Sequence, residues 1–202
     1  DGNGAPPKFW SDLDLHAFDF GHSYMTAIFN APDDPLSQAY FTSLAAKVGD
    51  DRAKEILEVN RHNTIIYPSC SPHTSFQQWR VIRPLSVDRT LVEIFTFRLD
   101  GAPEELLQRT FTYSNVVNSP SSIVMTDDVH VYAECQKGLA TQGGDWVSQH
   151  RNAGQDLPFS GADGGEIGVG TSELPIRNQF RAWREYMTGD ATETISLQSS
   201  DP

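Results

Sequence analysis

The chain has 202 residues, of which 38% are hydrophobic and 21% are charged. This length and apolar content suit one compact domain, or part of a larger one, built around a hydrophobic core. The 15 basic and 27 acidic residues give a net charge of −12. Because such a surface repels phosphate backbones and anionic lipids, the composition disfavours nucleic acid and membranes as partners.

Cysteine content and hydropathy limit the cellular setting. Cys70 and Cys135 are the two cysteines of the sequence, too few for a disulfide scaffold or a cysteine-rich metal cluster. No apolar run approaches the ~20 residues that a membrane-spanning helix needs. Residues 1–7 lack the basic and apolar regions of a signal peptide. We therefore expect a cytoplasmic protein.

The first third of the chain is predicted to form an extended segment and then two helices. Residues 15–29 lack a helical period and are predicted to be mostly extended. An apolar stripe at helical spacing comes next: Leu36, Tyr40, Phe41, Leu44 and Val48. Gly49 is expected to end this helix, and Asp50 to begin a second one that reaches about residue 60.

The middle of the chain has the composition of β-strands. Residues 64–67, 75–83 and 89–99 are rich in strand-forming residues, and residues 84–88 are turn-like. The third of these segments is apolar on both faces, with Leu91, Phe95, Phe97 and Leu99 on one and Val92, Ile94 and Thr96 on the other. A strand of this kind is expected to be covered on both faces.

The last part of the chain returns to helices. Pro103 and the two acids after it predict a helix start, and a further helix is predicted from Thr126 to about Gly138. Residues 141–171 are rich in Gly, Asp and Gln and are predicted to be irregular. A final apolar stripe indicates a long helix that stops at Gly189: Ile176, Phe180, Trp183 and Met187.

The order of these elements predicts an α+β fold, with an antiparallel sheet and helices packed over it. Residues 1–189 are assigned to this domain, and residues 190–202 to a polar, disordered tail. The sequence has no P-loop, no dinucleotide-binding fingerprint and no Gly-x-Ser-x-Gly elbow. The composition and these motifs therefore leave the chemistry open.

Two groups of residues are candidate metal ligands. His16 and His22 have five residues between them, a spacing that does not bring both to one face of a helix, so an ordinary polar role is favoured for His16. Asp127 and Asp128 follow Thr126 at the predicted helix start. They fit a simple N-terminal cap, but a carboxylate held there by the backbone can also face a cavity and bind metal. Both interpretations stay open.

Four segments resemble the alpha (large) subunits of Rieske-type aromatic-ring-hydroxylating oxygenases, especially the benzoate/anthranilate branch. Residues 126–136, which contain Asp-Asp and end in Cys-Gln, resemble one segment of the family. Residues 60–68 are similar to its Tyr-Pro strand, residues 78–93 to its hairpin, and residues 177–187 to its C-terminal helix with a Trp-x-x-x-Met pattern. Their order and spacing identify the chain as the C-terminal part of the catalytic domain.

The resemblance implies a helix-grip fold and an enzyme that hydroxylates an aromatic substrate with mononuclear Fe(II) and O₂. At the position of Asp128 the family has the carboxylate ligand of the iron. Residues 18–23 match a segment that contributes a pocket-lining histidine, here His22. The two histidine ligands of the iron and the [2Fe–2S] Rieske cluster are expected outside this chain. The chain alone is therefore expected to be inactive and to bind iron poorly.

The resemblance also implies partners. Electrons would come from NAD(P)H through a reductase, with or without a ferredoxin, and the subunits would form a trimer-type ring, with or without beta subunits. The alternative is a non-catalytic module of the same fold that binds a hydrophobic ligand. A third reading is a beta-subunit-like scaffold without metal. A Cys-x-His and Cys-x-x-His pair upstream in the parent gene would favour the oxygenase.

Overall fold

The structure is a computed structural model, which describes residues 10–26, 34–59, 61–141, 143, 146–160 and 164–189. The predictions for residues 27–29, residue 60 and the tail at residues 190–202 lie outside this range. In the part of the chain that is described, no helix combines the length and the apolar character needed to cross a membrane.

The described residues alternate between strands and helices. The strands are β1 (Asp14–Ala17), β2 (Ser23–Thr26), β3 (Arg61–Ile65), β4 (Cys70–His73), β5 (Gln78–Ser86), β6 (Arg89–Thr96), β7 (Leu157–Pro158) and β8 (Glu166–Val169). The helices are α1 (Pro35–Val48), α2 (Asp50–Leu57), α3 (Glu104–Asn118), α4 (Ile123–Leu139) and α5 (Leu174–Thr188), with short 3-10 turns at Asp19–Gly21 and Thr74–Phe76. The α+β class predicted from the sequence is confirmed.

The strands form two antiparallel sheets, where the sequence predicted one. The first has the order β3-β2-β1-β8-β7, and the second has the order β4-β5-β6. A single bridge between Ile66 and Cys70 lies between β3 and β4. The first sheet joins β1 to β8, a strand about 150 residues later in the chain, with Leu15 opposite Gly168. This long-range pairing brings both ends of the described chain into one sheet.

The predicted hairpin is confirmed, but its predicted burial is not. β5 and β6 pair from Gln78–Thr96 to Ser86–Arg89 around a turn at Val87 and Asp88. Side chains on both faces of β6 remain exposed: Leu91 44%, Val92 49% and Phe95 51%. The expectation that this strand is covered on both faces is therefore wrong for the described residues, since these side chains keep about half of their surface exposed.

The helix that carries Asp127 and Asp128 begins earlier than predicted. Its first residue is Ile123, and its N-cap is Ser122, whose hydroxyl oxygen accepts a hydrogen bond from the backbone N–H of Val124 at 3.1 Å. The two acids therefore lie in the second turn, and the interpretation of this pair as an N-terminal cap is wrong. The physical reason is that a serine four residues before Thr126 already satisfies the free backbone N–H groups at this helix end.

Helices α1 and α3 are joined by a capping aspartate. The side chain of Asp34 accepts hydrogen bonds from the backbone N–H groups of Leu36 and Ser37, at 3.0 and 3.2 Å, which begins α1 one residue after the cap. Arg109 on α3 donates to the same carboxylate at 2.8 Å. Apolar packing completes the contact in a cluster that consists of Tyr40, Ala102 and Leu106, with Leu36, Leu44, Leu57 and Leu99 around it.

The last helix packs against the first sheet through a different face from its apolar stripe. The buried residues of α5 are Leu174, Asn178 and Ala182. The amide of Asn178 donates to the backbone carbonyl oxygens of Phe18 at 2.8 Å and His22 at 3.1 Å. The predicted apolar stripe is largely exposed: Ile176 44%, Phe180 56%, Trp183 52% and Met187 68%. A small face with one specific amide therefore fixes the helix, rather than the large side chains.

Candidate functional site

Asp128 lies on an exposed helix. It belongs to α4, none of whose described residues is buried, and the helix packs against α3. The Asp128 carboxylate is exposed and takes part in no hydrogen bond or ion pair with the described residues. Its backbone is nevertheless fixed, because it lies within the helix rather than at a fraying end. The carboxylate oxygens are thus free to accept a ligand.

His22 lies between the first 3-10 turn and β2, and it contacts the segment that follows β3. Its Nδ1 accepts a hydrogen bond from the backbone N–H of Tyr67 at 3.0 Å. In the neutral imidazole this leaves Nε2 as the protonated nitrogen. The His22 side chain is half-buried, and its backbone carbonyl oxygen accepts from the backbone N–H of Phe18 at 2.9 Å. The ring orientation is therefore fixed by the main chain.

The structure does not bring the sequence-predicted ligands together. His16 stacks on Tyr24 with ring centroids 4.5 Å apart and meets the edge of Phe159 at 4.9 Å, whereas His22 bonds Tyr67. Burial lowers the pKa of His16. Among the residues that the structure describes, no group of three or more His, Cys, Asp or Glu side chains could hold a metal ion. His16 therefore packs as a ring between aromatic neighbours, which accounts for its buried position without a metal.

Sequence reasoning missed a group of polar side chains at the second sheet. We call it the inner polar cluster: His62, His73, Gln78, Arg80 and Tyr113. In the pairing of β4 with β5, His73 lies opposite Gln78 and Ser71 lies opposite Arg80. Because side chains two positions apart share a face of a strand, all four of these residues project from one face of the sheet. α3 contributes Tyr113, and β3 contributes His62.

Aromatic contacts hold the inner polar cluster together. The rings of His62 and His73 meet edge to face with centroids 4.3 Å apart, and His73 is 4.6 Å from Phe76. Phe76 in turn stacks on Tyr113, with centroids 3.7 Å apart and planes within 2°. The edge-to-face arrangement of His62 and His73 is a favourable ring geometry. The second 3-10 turn, which carries Phe76, thereby joins the sheet to α3.

Several polar atoms in the inner polar cluster are buried without a partner. Gln78 is fully buried, with 0% exposure, and neither its amide nitrogen nor its amide oxygen is hydrogen-bonded to the described residues. The same holds for Nδ1 of His73, a residue with 5% exposure, and for Nε of Arg80. Most buried polar groups in proteins are paired, so such a concentration of unpaired atoms among the described residues is unusual.

The charge of the inner polar cluster is positive. Burial, followed by the neighbouring His62 and Arg80, lowers the pKa of His73 to about 4. Burial and Arg80 also lower the pKa of His62, and burial raises the pKa of Tyr113. At neutral pH the two imidazoles and the phenol are therefore uncharged, and Arg80 supplies the charge of the group. No acidic partner of Arg80 occurs among the described ion pairs.

The signal for this cluster lies in the register of two strands and not in the sequence alone. β4 is short and contains Pro72, which disfavours a strand, so the segment from Cys70 to His73 was not predicted as one. In the observed register of β4 and β5, polar residues occupy every second position where the two strands pair, and they therefore share one buried face. The pattern becomes visible only with the register of the two strands, which the sequence does not supply.

Two curated proteins are related to the chain over most of its length. It is 30% identical over 182 residues to the toluate 1,2-dioxygenase subunit alpha of Pseudomonas putida, a match that covers 86% of this chain and 39% of that protein. It is 30% identical over 149 residues to the 2-halobenzoate 1,2-dioxygenase large subunit of Burkholderia cepacia, covering 71% of this chain and 32% of that protein. No protein-family model matches the chain.

Solved structures share the fold. A naphthalene 1,2-dioxygenase variant bound to phenanthrene superposes with a TM-score of 0.68 at 21% identity, covering 92% of this chain and 44% of that one. The naphthalene 1,2-dioxygenase of Rhodococcus sp. bound to indole superposes with a TM-score of 0.69 at 15% identity, covering 93% and 48%. At these identities the likeness shows the fold, which is that of the naphthalene dioxygenase catalytic domain.

Sequence relatives and structural neighbours agree. The chain spans 39% and 32% of the length of the two curated relatives. The resemblance predicted from the four sequence segments is confirmed. The chain is therefore similar in sequence and in fold to the alpha (large) subunits of ring-hydroxylating dioxygenases, over part of their length.

Proposed function

We propose that the chain forms part of the catalytic region of an oxygenase that hydroxylates an aromatic ring with O₂. The observation that supports this proposal best is the 30% identity with the toluate 1,2-dioxygenase subunit alpha over 182 residues, which is most of the chain. The match is spread over helices, strands and loops, as expected for a shared catalytic domain rather than a shared local motif.

Asp128 is the proposed carboxylate ligand of a mononuclear Fe(II). Non-haem iron oxygenases use two histidines and one carboxylate, which leaves one face of the iron open. Asp128 fits the carboxylate role because its oxygens are exposed and unpaired among the described residues. The described residues supply one donor and do not form the complete set. The two histidines are proposed to lie outside this chain, and the chain alone is expected to be inactive.

Other family properties are proposed on the same ground. Electrons would reach the iron from a [2Fe–2S] Rieske cluster outside this chain, supplied from NAD(P)H by a reductase with or without a ferredoxin. The subunits would associate in a trimer-type ring, with or without beta subunits, in the cytoplasm. Iron and the cluster supply the redox chemistry, while this chain supplies a carboxylate and part of the substrate pocket. His22 is proposed as a residue that lines this pocket.

The proposed substrate is an aromatic compound. The residues of this chain decide whether that compound is charged or neutral. The curated relatives are named for toluate and 2-halobenzoate, which are aromatic carboxylates. The structural neighbours contain phenanthrene or indole, which carry no charge at neutral pH. The same fold therefore accepts charged and neutral rings, and the side chains of each protein decide between them.

Iron content in the complete source protein tests the proposed function. We expect about three irons per chain, two in the cluster and one mononuclear. In the variant Asp128→Asn about one of them should be lost, together with substrate hydroxylation. The matched control is Asp127→Asn, which removes the adjacent exposed carboxylate and should keep all three. A source protein of 202 residues that takes up no iron would contradict the proposal and favour the non-catalytic ligand-binding module.

A further inference from the structure

β6 is an edge strand of the second sheet. In the order β4-β5-β6 it pairs with β5 alone among the described strands, so one side of its backbone faces no described strand. Natural edge strands are often short or carry proline, lysine or a bulge, which oppose pairing with another chain. β6 has eight residues, contains neither proline nor lysine, and the register shift of the hairpin lies in β5, between Pro84 and Ser86. This edge therefore lacks the usual protection.

The hairpin register shows which backbone groups of β6 point towards the free edge. The N–H of Phe97 donates to the carbonyl oxygen of Gln77 at 3.0 Å, and in an antiparallel ladder such hydrogen-bonded pairs alternate with non-hydrogen-bonded ones. The odd-numbered residues of β6 therefore bond to β5, and the N–H and C=O groups of Thr90 and Val92 point away from it. Pro84 agrees with this assignment, because it lies opposite Thr90 at a position that needs no N–H.

The side chains on both faces of β6 are available to a further strand. Leu91 and Phe95 on one face, and Val92 on the other, remain about half exposed. Aromatic and β-branched side chains pair favourably across neighbouring strands. A strand added at this edge would cover these side chains and would also satisfy the outward backbone groups.

The charges of β6 fit a second copy of the same strand. If two copies pair antiparallel about Leu91, Arg89 of each copy lies opposite Glu93 of the other, on one face of the sheet. Arg89 is exposed and takes part in none of the described ion pairs. Glu93 pairs with Arg83 of its own chain, and its side chain remains 34% exposed. Its two carboxylate oxygens can accept from a second arginine.

Other two-fold registers are less favourable. Pairing about Glu93 would place the two Glu93 carboxylates opposite each other, and pairing about Val92 would place each Glu93 opposite Leu91. Pairing about Leu91 also suits the backbone, because Thr90 of one copy then lies opposite Val92 of the other. Both residues present outward N–H and C=O groups, which can be exchanged between the strands. Charge and backbone therefore agree on one register.

We propose that two copies of this chain pair antiparallel through their β6 edges, about Leu91, and form one continuous sheet with three strands from each copy. The interface contains an Arg89–Glu93 ion pair on each side of the two-fold axis and backbone hydrogen bonds between Thr90 and Val92. Such an isologous contact closes with two copies, so it is distinct from the contacts of a trimer-type ring. It depends on neither iron nor substrate.

Hydrogen exchange and sedimentation of the unaltered chain test the proposal. Both are measured over a range of protein concentrations. We expect the chain to pass from monomer to dimer as its concentration rises, and the outward amides of Thr90 and Val92 to become protected in step. The inward amides of Leu91 and Glu93 bond to β5 and should be protected at every concentration.

Two charge variants test the register. Arg89→Glu places like charges opposite each other on both sides of the two-fold axis, and Glu93→Arg does the same with the opposite sign. Each should weaken the dimer at least about fivefold. An equimolar mixture of the two variants again brings opposite charges together at both places and should form a mixed dimer. Arg184→Glu is the matched control, because it makes the same charge change on the exposed side of α5 and should leave dimerisation within about twofold.

Each outcome supports or overturns the proposal. A chain that stays monomeric at its highest soluble concentration overturns it. Protection of Thr90 and Val92 that does not depend on concentration also overturns it, because a segment of the same chain would then cover the edge. A dimer in which these amides stay exposed would use another surface. Equal effects of Arg89→Glu and Arg184→Glu, or a mixture of the two β6 variants that stays monomeric, would overturn the pairing about Leu91.

Discussion

Arg177 on α5 and Asp156 in the loop before β7 form an ion pair in which Nη2 and Oδ2 are 2.5 Å apart. The two side chains are 19% and 9% exposed. The other terminal nitrogen of Arg177 donates to the backbone carbonyl oxygens of Gln149 and Arg151, both at 3.0 Å. One guanidinium thus fixes a loop of the otherwise irregular segment to the last helix. The predicted irregularity of residues 141–171 is accordingly interrupted by ordered contacts and by β7 and β8.

We expect Arg177→Met to lower the free energy of unfolding by about 3–5 kcal/mol, because it leaves the Asp156 carboxylate buried and unpaired. Arg181→Met is the matched control on the same helix. Arg181 pairs with Glu166 at 3.1 Å near the surface, and the loss there should stay below about 1 kcal/mol. Urea unfolding followed by circular dichroism measures both values. Equal losses in the two variants would show that burial of the pair has no effect on stability.

A close approach of the main chain at Gly21 predicts a second stability difference. Gly21 has φ +84°, and an added Cβ would lie 2.8 Å from Cγ of Tyr67 and 3.0 Å from Cβ of Ala182. Gly49 has nearly the same φ, +86°, but open space around it. Gly49→Ala, at φ +86° and ψ 156°, should therefore cost about 1–3 kcal/mol from backbone strain alone. Gly21→Ala should cost at least about 2 kcal/mol more, since overpacking is added.

Thermal unfolding of both alanine variants separates strain from crowding. The expected order is wild type, Gly49→Ala and then Gly21→Ala in falling midpoint temperature. The double variant Gly21→Ala with Tyr67→Ala removes the crowding ring and should recover part of the loss. If the two single variants unfold at the same temperature, the contact between α5, the 3-10 turn and Tyr67 is looser than the structure shows.

Local elements could be predicted because their signals lie within the elements themselves. The stripe from Leu36 to Val48, with Pro35 before it and Gly49 after it, specifies α1 without reference to the rest of the chain. The β5–β6 hairpin and α5 are specified in the same way. Partners distant in sequence could not be predicted. β1 pairs with β8 across about 150 residues, and nothing in either strand identifies the other.

The candidate site was predicted only in part for the same reason. The resemblance identified Asp128 and His22 residue by residue, but it gave no geometry for either. The inner polar cluster depends on the register of His73 against Gln78 and on the packing of Tyr113 from α3. Burial, which makes these ordinary polar residues notable, is a property of the folded chain. A single sequence without its strand register therefore could not show it.

The buried histidine of the inner polar cluster predicts a dependence of stability on pH. Burial and the neighbouring His62 and Arg80 lower the pKa of His73 from 6.5 to about 4 in the folded chain. The unfolded chain therefore binds more protons between pH 6.5 and 4, and the stability contributed by neutral His73 is complete above pH 6.5 and falls as the pH falls towards 4. Between pH 7.5 and 5.0 the loss should be about 2 kcal/mol.

Urea unfolding at pH 7.5 and 5.0 in the wild type and in His73→Met measures this contribution. The variant cannot take up the proton, so its stability should change by about 2 kcal/mol less between the two pH values. His130→Met is the control, because His130 is exposed on α4, and it should keep the dependence of the wild type. A variant His73→Met with an unchanged pH dependence would show that this ring is protonated as readily in the folded chain as in the unfolded one.

A last prediction concerns the first residue of α4. It distinguishes by experiment between the start at Ile123 that the structure shows and the start at Thr126 that the sequence predicts. Ser122 caps the helix through its hydroxyl oxygen, whereas Asp127 is exposed in the second turn and has no hydrogen bond or ion pair among the described residues. Ser122→Ala should lower the free energy of unfolding by about 1 kcal/mol, because the N–H of Val124 loses its acceptor. Asp127→Ala should change it by less than about 0.5 kcal/mol.

Hydrogen exchange of the first amides of α4 shows where the effect arises. In Ser122→Ala, protection should fall at the amides of Val124 and Thr126, which donate to Ser122, and in Asp127→Ala it should stay as in the wild type. The reverse pattern, with Asp127→Ala the more destabilising change, would return the helix start to Thr126 and Asp127. Asp128 would then lie at a fraying end, where its carboxylate would be poorly fixed for the iron ligand role proposed for it.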